Sequence, residues 1–337
     1  MKTKITALLI FGGIAIAVGA TALAYFGGPT GEEIRVGLGR GQSLLSLADT
    51  LKAKGVIESP ALFLLFLRIT GKEGHVKAGY YIFRKRDHEW RAVKKILTGP
   101  NASLEVRVTI PEGTTGAAMA GLFSDSLGLD SAEFCALMRD KRFIDSLAET
   151  YPYLKGLSSL EGFLFPDTYF FYKGEKPRAV IARMVDRHFS FWTPERLSAA
   201  EELRMTVGDI VVLASLVESE TKLDEERPVV ASVFLNRLAR KMPLASNSAL
   251  GYVLSKNPAW LSGEDLEINS PYNTYKRLGL PPTAICSPGL KSIDAVLHPA
   301  RTNYLFFVAT GEGNHLFSAT YEEHQRNVAR ARENWNK

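Results

Sequence analysis

The acids most able to do chemistry cluster in LASLVESETKLDEERPVVASVFLNRL, residues 213–238. An apolar run, Ile210 to Val217, ends on Glu218, and Glu220, Asp224, Glu225 and Glu226 follow closely. A carboxyl desolvated among apolar side chains has its pKa raised, which suits a general acid working near neutral pH. Glu218 lies four residues after Ala214 and seven after Val211, so it continues an apolar helical face. Glu220 falls about 200° further round the same helix, so both acids cannot serve one site unless the helix ends there. The plain alternative is a surface ion pair from Glu218 to Lys222 at i, i+4. Helix grammar leaves both readings open and leans to the ion pair.

The elements that must position these acids can be read around them. Thr206 caps the helix, with Asp209 in its first turn, and the run it opens is apolar all round apart from Ser215, as a central buried helix requires. Pro228 suits the first turn of a second helix that buries Val230, Val233, Phe234 and Leu238. Asn236 and Arg237 stand beside that face, and Arg237 is expected to pair with one of the preceding acids. PYNTY and GLPPTAICSPG are loops punctuated by Pro and Gly, carrying Asn273, Thr274 and Tyr275. NYLFFVAT reads as a buried strand, GEGN as a turn and HLFS as the returning strand, opened by His315. A last helix follows, capped by Ser318 or Thr320.

Upstream, residues 36–67 read as a strand, a glycine turn from Gly39 to Gly41, a helix capped by Ser43 and ended by Gly55, and a second helix opened by Ser59-Pro60. The pattern returns 72 residues later over 108–138: Gly113 answers Gly41, Met119 Leu47, Phe123 Leu51, Ser131 Ser59 and Phe134 Leu62. Between the copies come a strand with a turn (78–90) and a helix ending at Gly99. Strand–helix–helix units of this size resemble LysM-type carbohydrate-binding modules, with a generic α+β module as the alternative. The aromatic stretch SLEGFLFPDTYFFYKGE reads as core packing at a domain junction, or as a platform for sugar rings. A helix over 178–192 and a connector over 193–205 lead into the C-terminal region.

The N-terminus speaks to location. Lys2 and Lys4 precede an uncharged, mostly apolar run from Ile5 to Phe26, and Glu32 and Glu33 follow it. As a helix this run spans about 30 Å, the thickness of a bilayer core. The lysines place the N-terminus inside and the rest of the chain outside the cytoplasm. The alternative, a signal peptide cleaved near Ala22-Leu23-Ala24, also exports the body, but the run is longer than a usual signal core.

Composition bounds the rest. With 46% hydrophobic and 23% charged residues, bulk disorder is excluded. The net charge of +5 is scattered, without the basic block of a nucleic-acid binder, and suits an anionic membrane surface or wall polymer. Cys135 and Cys286 form no CxxC pair and the six histidines show no ligand spacing, so neither metal nor cofactor is called for. A disulfide between the two cysteines is open; two buried thiols are the plainer reading. No GxSxG elbow or Walker loop is present, and GLGRG reads as a simple turn.

Taken together, LEGFLFPDTY, ASLVESET, ERPVVASVFLNRL, SPYNTYKRLGLPPTAICSPG and YLFFVATGEGNHLFSATYEEH resemble the YceG-like family of endolytic murein transglycosylases. The resemblance implies an α+β chain with a single transmembrane helix (1–30), a LysM-like module (31–105), a second LysM-like or connecting region (106–205) and a mixed α/β catalytic domain (206–337). It implies cleavage of peptidoglycan glycan strands to 1,6-anhydro-N-acetylmuramyl ends, at the cytoplasmic membrane and beside wall synthases. It places the catalytic acid–base on Glu218 and substrate contacts on Ser246, Asn273, Tyr275 and His315. One segment departs: where the family reads Leu-Gln-Ser/Thr-Asp-Pro, this chain has Ala245, Asn247 and Ser248 at the Gln, Asp and Pro positions. That departure motivates the rival expectation, a non-catalytic wall-binding or scaffold protein on the same fold.

Overall fold

The structure, a computed structural model, describes residues 32–39, 42–100 and 105–335. The predicted span Ile5–Phe26 and the turn glycine Gly41 lie outside them. Among the described residues no helix is long and apolar enough to cross a membrane. The chain divides into two compact units, 1–106 and 107–337, so the region after the first module shares a unit with the Glu218 helix.

In the first unit, β1 (Glu33–Leu38) leads to α1 (Leu44–Ala53), α2 (Pro60–Ile69), β2 (Gly79–Arg84) and α3 (Glu89–Thr98). β1 and β2 pair antiparallel, with Glu33 opposite Arg84 and Leu38 opposite Gly79. The local signals act as read. The Ser43 and Ser59 side chains accept from the backbone N–H of Ser46 and Leu62, and Gly55 takes a left-handed φ of 69°. Leu47, Leu51, Phe63, Leu67, Tyr81, Phe83, Val93 and Ile96 close a core of their own.

β3 (Glu105–Thr109) runs into the second unit and pairs with β4 (Thr168–Tyr172). Between them lie α4 (Gly116–Leu127), α5 (Ser131–Leu137) and α6 (Lys141–Ala148). The internal echo is real in its caps but shifts register. Thr115 answers Ser43 at 72 residues, whereas the second cap is Asp130, which answers Ser59 at 71. Phe134 therefore matches buried Phe63 and not Leu62, which is exposed. The longer helix α4 and a shorter linker after Gly128 absorb the difference.

After β4 come α7 (Pro177–Phe189), α8 (Pro194–Glu202), α9 (Val207–Glu220), α10 (Arg227–Ala239), α11 (Asn247–Leu254) and α12 (Leu290–Leu297). The expected connector is thus partly helical: Thr193 caps α8, and Arg196 of α8 grips Asp294 of α12 at 2.7 and 3.0 Å. The chain closes with β5 (Phe306–Ala309), β6 (His315–Ser318) and α13 (Tyr321–Trp335). β5 and β6 pair antiparallel, and Thr320 caps α13 by accepting from the Glu323 N–H. β5 is half-buried where a buried strand was expected, because a two-stranded ribbon leaves one face wet.

The aromatic stretch resolves as core. Phe163, Phe165, Tyr169 and Phe171 are buried, and Phe163 and Phe165 pack on His188 of α7; Phe170 alone of this group stands exposed. Cys286 is buried, Cys135 is half-buried, and both are free thiols. α9 threads the main core. Its residues 210–217 are buried on every side, against Val230, Ala231 and Phe234 of α10 and Ile293 and Val296 of α12.

Candidate active site

α9 carries the capping box read from its sequence: Thr206 accepts from the Asp209 N–H, and Asp209 accepts from the Thr206 N–H. It ends at Glu220 because Thr221 turns extended (φ −138°, ψ 144°). The last turn therefore presents Glu218 and Glu220 on different sides, each to its own set of neighbours.

Glu218 meets the starts of two helices. Arg227, the first residue of α10, places Nη1 3.0 Å from Glu218 Oε2; the two side chains are 6% and 7% exposed, a buried ion pair. The Gly289 N–H and the Ser292 hydroxyl, at the start of α12, donate to the same oxygen at 3.0 and 2.8 Å. Among the described contacts Oε1 takes no hydrogen bond. Arg227 also donates to Ser292 Oγ (2.5 Å) and Asp224 (3.2 Å), and Lys291 holds the other side of Asp224. Two expectations are corrected here. Glu218 does not sit in an apolar wall, because the apolar face of α9 stops at Val217 and the positive ends of α10 and α12 converge on the next position. Its partner is Arg227, from the next helix, and not Lys222.

A further carboxyl comes from far upstream. Pro111–Thr114 forms a tight turn in which the Thr114 N–H and hydroxyl donate to the Pro111 carbonyl. Gly113 takes φ 77° there, the left-handed conformation a type II turn needs at its third residue. Reciprocal backbone bonds, Gly113 N–H to Ser287 O at 2.9 Å and Ser287 N–H to Thr114 O at 3.0 Å, clasp this turn to the chain entering α12. A Cβ added to Gly289 would fall 1.9 Å from Glu112 Oε1, so the Glu112 carboxyl lies directly over that glycine. One added to Gly113 would lie 3.8 Å from Glu218 Cγ. Desolvation first, then the Glu218 charge, pushes the Glu112 pKa above the usual carboxylate value.

Of the remaining predicted residues, Ser246, Tyr275 and His315 gather around Glu220. The Ser246 hydroxyl donates to Glu220 Oε1 at 2.6 Å and Ser248 hydrogen-bonds the carboxyl as well, yet burial dominates and raises its pKa. His315 and Arg237 lie near enough for their charges to oppose that rise. Tyr275 donates its phenol proton to Asn247 Oδ1 at 2.6 Å. His315 Nδ1 is 2.7 Å from Glu226 Oε2, and its backbone N–H donates to Glu226 Oε1. Asn273 is wholly buried: its amide donates to the Leu266 and Ile268 carbonyls at 2.9 Å, so it shapes the loop from within and offers no side chain to a ligand. Arg237, expected to pair with an acid, donates to the Leu305 and Leu244 carbonyls, because loop ends with open carbonyls reach it first.

A family model described as the YceG-like family matches residues 36–330. The chain belongs to the YceG-like family. It is similar to the endolytic murein transglycosylase of Bacillus subtilis (strain 168), 30% identical over 326 residues, covering 94% of this chain and 90% of that protein. It is also similar to the endolytic murein transglycosylase of Streptococcus pneumoniae (strain ATCC BAA-255 / R6), 32% identical over 327 residues. That match covers 88% of this chain but 58% of the pneumococcal protein, so the chain spans just over half of its length. A 2.6 Å crystal structure of a yceG-like protein from Listeria monocytogenes superimposes with a TM-score of 0.61 at 31% identity, covering 88% of this chain and 98% of that one.

In this YceG-like chain, Glu112, Arg227, Gly289 and Ser292 were not singled out by sequence reasoning. The Pro-Glu-Gly turn was legible as a turn, and Arg227 follows directly on the acidic run. Nothing in residue spacing says that either one reaches Glu218.

Proposed function

We propose that this YceG-like protein is a peptidoglycan lytic transglycosylase, cleaving glycan strands internally with Glu218 as the acid–base. The observation that carries this is a buried carboxyl with one oxygen fixed by Arg227, Gly289 and Ser292 and the other without a hydrogen bond among the described residues. A fixed orientation is what a proton donor needs, since transfer works only within hydrogen-bond reach. Glu218 protonates the oxygen linking N-acetylmuramic acid to N-acetylglucosamine, and the bond to the muramyl C1 breaks. The resulting carboxylate takes the proton of the same sugar's C6 hydroxyl, whose oxygen closes on C1 to give the 1,6-anhydro end. No water is consumed, and the carboxyl is returned to its protonated form. A nucleophilic carboxylate, which retaining glycosidases use, is not required.

The polar group around Glu220, including Ser246, Tyr275 and His315, holds the flanking sugars in this reading. Residues 1–30 anchor the enzyme in the cytoplasmic membrane with its body outside, the strand–helix–helix–strand unit acts as a LysM-like glycan contact, and nascent strands beside wall synthases are the substrate. The test is mass spectrometry of sacculi treated with purified protein. Anhydro-muropeptides are expected from the wild type and not from Glu218→Gln of unchanged melting temperature. Reducing ends would instead indicate a water-using muramidase, and binding without any product would indicate the scaffold reading.

A further inference from the structure

The Glu218 site poses a problem for an acid. Three donors, one of them a guanidinium, converge on a single carboxyl oxygen. A general acid must hold a proton at working pH. Something in the site has to favour the protonated state, and the apolar wall that would do so is missing.

We infer that Glu112 is a positioning residue of this reaction centre: set across Gly289 from Glu218, it forms with it a carboxyl pair that holds one proton in common. The inference rests on Glu218 being the acid. The geometry is built from three parts. The Pro111–Thr114 turn puts Glu112 at its tip, and the clasp to Ser287 fixes that tip against the start of α12. Gly289 leaves room for the Glu112 carboxyl; a Cβ there would push that flexible side chain aside. The same glycine gives its N–H to Glu218, so one residue spaces the two acids.

The charges around Glu112 come from every element packed near it: Glu218 of α9, Asp224 of the following loop, Arg227 of α10 and Lys291 of α12. Three carboxyls face two cations. If all ionise, the cluster carries a surplus negative charge, which one proton removes. Desolvation already pushes Glu112 upward, and the Glu218 charge adds to it. Arg227 and Lys291 pull the other way, so the proton is held and also released, as acid–base chemistry needs.

The experiment is a pH profile of anhydro-muropeptide release by the full chain, for the wild type, Glu112→Gln and Glu112→Asp. Glu112→Gln removes the charge that opposes proton loss, so its alkaline limb should move to lower pH by about one unit. Its rate near pH 7.5 should fall about tenfold, with most activity regained on acidification. Glu112→Asp, which keeps the charge, should restore the limb. Glu112 is exposed at the turn tip, so both variants should melt with the wild type. An unmoved limb in Glu112→Gln overturns the inference, and so does loss of activity at every pH with unchanged melting, which would make Glu112 a reacting group itself. Activity retained by Glu218→Gln would instead overturn the reading of Glu218, separately from the limb result.

Discussion

Glu218 and Glu220 leave the same helix turn and reach opposite environments. Glu218 meets a guanidinium, a backbone N–H and a hydroxyl at the starts of α10 and α12. Glu220 meets the hydroxyls of Ser246 and Ser248, with its cations further off, and burial raises its pKa. Two residues of separation thus decide between an acid clamped by charge and one sheltered by hydroxyls. Burial alone does not set a carboxyl's role; the partner it is buried with does.

The widest gap between the two sides should be catalytic. Glu218→Gln is expected to lower the release of anhydro-muropeptides by about a thousandfold, as loss of a general acid does. Glu220→Gln keeps the shape and the Ser246 contact and should cost within about tenfold. Rates from a single sacculus digest compare the two, and equal losses would erase the distinction.

Next in size is stability. Arg227→Met strands Glu218 in a buried setting and should cost about 3 kcal/mol in urea unfolding. Adding Glu218→Gln to it should recover part of that loss, since no charge is then left unpaired. A double variant no more stable than Arg227→Met would break the account of the ion pair.

The Glu220 side should show itself in pH dependence. Its folded pKa is raised above the ordinary 4.5, so the stability it contributes is full below 4.5 and is lost as pH rises through the folded value. Glu220→Gln cannot lose that proton. Its stability relative to the wild type should therefore improve as pH rises from about 4 to about 8, in unfolding curves taken across that range. A parallel pair of curves would place Glu220 in solvent-like surroundings. The smallest effect is expected from Ser246→Ala, about 1 kcal/mol for one hydrogen bond, larger at high pH, where the Glu220 anion needs its donor.

Much of the scaffold was legible because its signals are local. A cap acts within one turn, so Ser43, Ser59 and the Thr206–Asp209 box announced their helices directly. The all-round apolar run likewise made α9 the central helix, and the phase of Glu218 against Glu220 followed from helix geometry alone. The register of the internal echo, the helix hidden in residues 193–205 and the wetness of β5 were not legible, since each depends on what packs against the segment.

Read alone, the chain announced many of its helices and strands, its family motifs and the acid at the end of α9. What that acid faces was set by packing between distant segments. Arg227, Gly289 and Ser292 meet Glu218 from two helix starts, and the charge of Glu218 is felt by Glu112 on a clasped turn; all but Arg227 come from far away in the chain. Packing also turned Asn273 inward and gathered Ser246, Tyr275 and His315 on the Glu220 side. The reason is one of range: hydrogen-bonded turns are fixed by neighbours along the chain, but the field at a carboxyl is fixed by whichever charges folding brings within a few ångströms.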